Sequence, residues 1–173
     1  MIFQVYGGFE IPRNSNGSID REAKERSVFW DNIDSEHEGL PFACGCYIFT
    51  IGNKPWYVGM AEKQDFKSEC FTPHKREIYN ESLIDYERGI PYLYLIAKMT
   101  PGGKFAKISD NGHNDIHALE NLLIGLGLAR NPEIKNIKGT KIYKEMQVPG
   151  IINTKPGQAR SAAVQNLKAV FGT

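Results

Sequence analysis

Cysteine is scarce, charge is nearly balanced, and no long apolar run occurs in this sequence. Three cysteines, Cys44, Cys46 and Cys70, stand among 173 residues. An odd count with one Cys-x-Cys pair makes a poor disulfide framework and a poor zinc site. It points to a reducing cytoplasm. Cys44 and Cys46 read instead as small hydrophobes sharing one face of a strand. The longest apolar stretches, such as residues 92–97, are far too short to cross a bilayer. Residues 1–6 carry no basic segment and no long apolar run, so no signal peptide is expected.

A formal net charge of +1 does not announce a nucleic-acid binder. Its distribution is more informative. Residues 1–40 carry 4 basic and 8 acidic side chains, residues 41–129 carry 9 and 10, and residues 130–173 carry 8 and 2. A near-neutral total therefore hides a basic C-terminal quarter, an asymmetry that can create a local phosphate-attracting patch.

The pattern predicts an α/β (α+β) chain with a three-stranded antiparallel sheet flanked by helices. An acidic strand-and-helix leader occupies 1–40, a core 41–139, and a basic extension with a short helix 140–173. In the leader, a strand precedes the turn signal Asn14-Ser15-Asn16-Gly17. A helix capped by Ser18 then runs to about Ile33, with Ile19, Ala23, Trp30 and Ile33 inward. Residues 43–50 and 54–59 read as a hairpin around Gly52-Asn53. Thr72-Pro73 starts a helix that stops before Gly89-Ile90-Pro91. Residues 92–99 form the third strand. A helix capped by Asn114 or Asp115 runs to about Ala129, with Ile116, Leu119, Leu122, Leu123 and Leu126 as its buried face. Residues 161–171 form the last helix.

Two short aromatic, glycine-marked runs lie on the predicted hairpin, Gly45-Cys46-Tyr47 and Tyr57-Val58-Gly59. Strand alternation puts Tyr47 on the face of Gly45 and Phe49, and Tyr57 on the face of Gly59. Taken singly, each tyrosine is an ordinary strand residue with an apolar body and a wet tip. Glu120 falls at the rim of the apolar stripe of the 114–129 helix. A carboxylate there must be paired, hydrogen-bonded or bound to a cation, because isolated burial is costly. One alternative groups His113, His117 and Glu120 on a single helix, a spacing that suits zinc or iron. The turn signal Asn111-Gly112 places the helix start after His113 and removes that first ligand. Lys135, Lys138, Lys141 and Lys144 recur every third residue, either as a solvated face or as a track along a phosphate backbone.

Taken in order, these residues resemble the GIY-YIG nuclease family over residues 42–139. Gly45-Cys46-Tyr47 is similar to the first signature, with cysteine for the usual isoleucine, and Tyr57-Val58-Gly59 to the second. Lys67 falls where the family places an arginine, Glu120 matches its helical metal-binding glutamate, and Asn136 its post-helix asparagine. The resemblance implies a metal-dependent endonuclease acting on nucleic acid, with DNA favoured over RNA. It implies Mg²⁺, with Mn²⁺ as a substitute, held by Glu120 and water, as suits a hard ion that keeps its hydration shell. Tyr47 would activate or orient the attacking water with Tyr57 beside it, and Asn136 would position the site. Lysine at 67 lacks the bidentate fork of arginine but still supplies a point charge. His74, Lys75 and Arg76, at the start of the helix opened by Pro73, are the competing source of a cation and a proton donor. His74 would be the family-like histidine; Lys75, Arg76, Lys135, Lys138 and Lys141 would contact substrate. The changed arginine also motivates a second expectation: the same fold binding nucleic acid or a protein partner without cleavage.

Overall fold

The computed structural model describes residues 1–19, 23–86, 89–137, 140–149, 151 and 161–171. The chain divides into two compact units, Met1–Asn136 and Ile137–Thr173. The first contains strands β1 (Ile2–Glu10), β2 (Gly45–Ile51), β3 (Lys54–Ala61) and β4 (Pro91–Met99). Its helices are α1 (Ala23–Glu36), α2 (Phe66–Glu69), α3 (Pro73–Asp85) and α4 (Asn114–Arg130), with a 3₁₀ turn at Leu40–Phe42. The second unit contains α5 (Thr140–Glu145) and α6 (Ala162–Phe171). Lys138 lies outside the described residues.

The sheet has four strands in the order β1-β4-β2-β3, every neighbouring pair antiparallel. Three strands are expected from the sequence; the fourth is β1, which pairs with β4 along nearly its whole length. Residues 1–40 are therefore no appendage. They contribute an edge strand, and Ile11, Ile19, Phe29, Trp30 and Ile33 join the largest buried cluster. Trp30 and Phe29 meet Phe71 edge-on, and Phe71 meets Tyr79 of α3, so an aromatic chain runs from α1 to the sheet. Each such pair adds about 0.5–1.5 kcal/mol beyond its burial.

Strand alternation divides the core in two. Tyr47, Phe49, Tyr57, Leu93 and Leu95 belong to the cluster that also holds buried residues of α1, α2 and α3. Cys44, Cys46, Ile96, Ala106 and Ile116 form the other, with Ile48, Met60, Leu119 and Leu123 packed against it. All three cysteines are free and buried. Burial pushes the thiol pKa of each one up.

Helix α4 packs chiefly on β3. Its buried residues are Ile116, Ile124 and Gly127, whereas Leu122 and Leu126 are 65% and 69% exposed. The expected stripe is thus rotated. Residues 122–128 are apolar on nearly every side, so periodicity gives little basis for choosing a face. Contact decides instead: Gly127 leaves room for Ile134, since a methyl there would sit 2.7 Å from its Cδ1.

Candidate active site

The two tyrosines meet because of register. Tyr47 on β2 pairs with Gly59 on β3, and Phe49 pairs with Tyr57. A methyl group on Gly59 would overlap the Tyr47 phenol, so this glycine is what lets the ring lie across the neighbouring strand. The rings of Tyr47 and Tyr57 sit 6.2 Å apart. Gly45-Cys46-Tyr47 and Tyr57-Val58-Gly59 are therefore two halves of one packing arrangement.

The tyrosines differ in environment. Tyr47 is 0% exposed, and its hydroxyl has no hydrogen bond of normal geometry among the described residues. The Tyr79 hydroxyl likewise has no hydrogen bond of normal geometry, but the two phenols are near enough that a weak hydrogen bond with Tyr47 opposes the rise in the Tyr79 pKa. Burial, reinforced by Tyr79, raises the Tyr47 pKa well above the usual phenol value, so Tyr47 is neutral. Tyr57 is 9% exposed, and its oxygen accepts a hydrogen bond from the Lys75 ammonium at 2.6 Å. The same ammonium lies 4.8 Å from the Tyr57 ring centre and 3.7 Å from Glu69.

Glu120 comes from the other side of the sheet, on α4. It is half-buried and forms no hydrogen bond or ion pair among the described residues. Burial raises its pKa; the charges of His117 and Lys75 pull it down, and Glu62 and Glu69 push it up. Glu120 thus shares an electrostatic field with Lys75 and Glu69 of the tyrosine side. Among the described residues no group of three His, Cys, Asp or Glu side chains is placed to hold a metal. A hard divalent cation held by one carboxylate and water needs no such group, and an unpaired, half-buried carboxylate fits that mode.

The remaining predicted residues separate. Lys67 is turned towards α1, 3.8 Å from Asp31 and over the Phe42 ring. His74 is exposed on the first turn of α3, and Arg76 is half-buried. Asn136 is 7% exposed, and its side-chain amide pairs with the β3 backbone: Val58 N–H donates to Oδ1 at 2.9 Å, and Nδ2 donates to the Val58 carbonyl at 2.7 Å. Asn131 donates to the Pro55 carbonyl and the Lys135 amide to the Trp56 carbonyl, so residues 131–136 cover the outer edge of β3. The Lys135 ammonium pairs with Asp85, and Lys141 pairs with Glu145 within α5.

The helical His-His-Glu set does not form. His113 is the N-cap of α4, with φ −139, and α4 begins at Asn114. The His113 Nδ1 accepts from Lys98 at 2.9 Å, which leaves Nε2 to donate to the Lys107 carbonyl at 3.1 Å. Lys98 also binds Asp115. The His113 amide donates to Glu62, and the other Glu62 oxygen meets His117 Nε2 at 3.0 Å. Glu62 is 9% exposed, so it is a buried carboxylate capping α4.

Glu62, Glu69 and Tyr79 escape a reading of sequence alone. Glu69 carries one faint signal, its place just before the Thr72-Pro73 helix start, which brings it near Lys75. Nothing local marks the other two, whose contacts run between separate elements. Set against known protein families, curated proteins and solved structures, the chain matches none.

Proposed function

We propose that the protein is a metal-dependent endonuclease of the GIY-YIG type, hydrolysing phosphodiester bonds in nucleic acid, with DNA favoured. The observation that carries the reading is the Lys75 ammonium on the Tyr57 oxygen at 2.6 Å, in the field of an unpaired, half-buried Glu120. A cation beside a phenol and a half-buried carboxylate able to hold a metal are groups that can stabilise the charge developing on a phosphodiester.

The roles follow from placement. Glu120 would hold the divalent cation, which when bound supplies Lewis-acid stabilisation of charge on the phosphate. Lys75 takes the place expected of Lys67, because Lys67 faces Asp31 and Phe42. Tyr57, whose oxygen is already held by an ammonium, orients the attacking water. Tyr47 supports Tyr57 from behind as a neutral buried ring. Asn136 fixes β3 and so the height of Tyr57. Lys135 can turn to phosphate at little cost, since a partly exposed pair such as its contact with Asp85 contributes only about 0–1 kcal/mol; Lys141 would contact phosphate from the second unit by itself.

A second reading, binding without cleavage, is favoured by one observation: the Tyr47 hydroxyl is sealed from solvent. A plasmid-nicking assay with Mg²⁺ or Mn²⁺ separates the two. Cleavage by the wild type, lost in Glu120→Ala and strongly reduced in Tyr57→Phe, supports the endonuclease. Retained DNA binding with no cleavage over a range of metals and substrates supports the binding module instead.

A further inference from the structure

We propose that Glu69 is a positioning residue: its carboxylate holds the Lys75 ammonium on Tyr57 and yields that ammonium to a phosphodiester when substrate binds. The identity of the arriving anion rests on the endonuclease reading. The hold on Lys75 does not.

Three observations carry the inference. Lys75 and Glu69 are both largely sequestered, with side chains 16% and 22% exposed, yet they stand 3.7 Å apart. That is longer than a normal hydrogen bond, so the contact, which acts on Glu69 through both charge and hydrogen bonding, is a loose one. Secondly, the backbone of Glu69 is held in place. It ends a four-residue helix capped by Asp65, whose carboxylate accepts from Ser68 N–H at 2.8 Å, and its flanks Phe66 and Cys70 are fully buried. Thirdly, an ammonium has three donors, and Tyr57 takes one at hydrogen-bond distance, so donors remain for a further oxygen.

The charges around Glu69 give the direction of exchange. It faces Lys75 and Tyr79 of α3, Tyr47 of β2, Glu120 of α4 and its neighbour Cys70. Of these only Lys75 is a cation. Burial raises the Glu69 pKa, and Lys75 is what opposes the rise. A phosphate oxygen that draws the ammonium away removes the one cation among these neighbours. In the free protein the carboxylate keeps Lys75 on Tyr57 and repels an arriving phosphate until the ammonium turns to it.

The test compares wild type, Glu69→Gln and Glu69→Asp. Duplex DNA affinity is read by fluorescence anisotropy with Ca²⁺ in place of Mg²⁺, and the single-turnover cleavage rate with Mg²⁺. Glu69→Gln is expected to bind DNA about 3- to 10-fold tighter, the scale of one partly screened charge contact, while cleaving more slowly. Glu69→Asp keeps the charge and loses the reach, so its cleavage slows without tighter binding. A residue that merely braces α2 against α3 would not split affinity from rate in this way. Unchanged affinity and rate in Glu69→Gln, or weaker binding, overturns the proposal. A third readout needs no nucleic acid: amine-reactive ester labelling of Lys75, followed by mass spectrometry. Faster labelling in Glu69→Gln supports the hold on Lys75 even if the wild type cleaves nothing, in which case the endonuclease reading alone fails. Unchanged labelling refutes the hold whatever the cleavage result.

Discussion

A half-buried carboxylate with no hydrogen bond or ion pair among the described residues is harder to charge in the folded protein than in the unfolded chain, and Glu120 is in that position. Burial raises its folded pKa above the ordinary 4.5. The native state then keeps its proton longer as pH rises, so the group's contribution to stability falls between about pH 4.5 and the raised folded value. Glu69 has the same sign. Glu120→Gln should therefore be more stable than wild type at pH 7, with the difference vanishing below about pH 4, where the carboxyl is protonated in both states. Urea denaturation across this range measures it; a variant less stable than wild type at pH 7 contradicts it. Tyr47 gives a second residue-scale expectation. The buried Tyr47 hydroxyl has no hydrogen bond of normal geometry among the described residues and meets only the Tyr79 phenol weakly, so Tyr47→Phe should change stability by less than about 1 kcal/mol. A loss above about 1 kcal/mol in chemical denaturation would mean that the hydroxyl makes a favourable contact. Tyr47, Tyr57 and Glu120 stand out in the sequence because glycine-marked aromatics and a carboxylate inside an apolar run are locally unusual. Glu62 does not, because its partner His117 lies on another element and only the fold brings them near, and Glu69 shows only its place before the Thr72-Pro73 helix start.

Elements place these residues, and β3 matters most, because it is an edge strand carrying Tyr57. Its outer backbone is paired by the side chains and amides of residues 131–136. Asn136→Ala would leave the Val58 N–H and carbonyl without their partners in a buried place. It should destabilise the protein by about 2–4 kcal/mol and speed hydrogen exchange at the Val58 amide. Exchange at Val58 unchanged from wild type would contradict this. The β2–β3 hairpin is legible in advance from Gly52-Asn53 and strand alternation, and α3 from Thr72-Pro73. Bulge and edge pairing are not. The register shifts between Phe49 and Thr50, and this accommodates Trp56 while keeping Tyr57 opposite Phe49. Similarly, the orientation of α4 is hidden by its excess of leucine and is fixed by contacts with β3 and Ile134.

At the scale of the whole molecule, the acidic leader reads as a separate segment because charge composition changes near residue 40. In the fold it closes the core. The partner of β1 is β4, some 90 residues away, and no local pattern announces a pairing at that distance. Deleting residues 1–40 removes an edge strand together with Trp30, Phe29 and Ile33 from the buried cluster. The shortened chain should show no cooperative thermal transition, and a sharp melt near that of the full chain would contradict the account. No helix among the described residues is long and apolar enough to cross a membrane. The central claim joins Glu120 to metal-dependent phosphodiester hydrolysis, and one comparison tests it most directly: single-turnover cleavage of duplex DNA with Mg²⁺ by wild type and Glu120→Gln, each melted in the same buffer. The account predicts cleavage by the wild type, a fall of at least about 100-fold in the variant, and a variant melting temperature in metal-free buffer no lower than wild type. A folded Glu120→Gln protein that cuts DNA at the wild-type rate would contradict it.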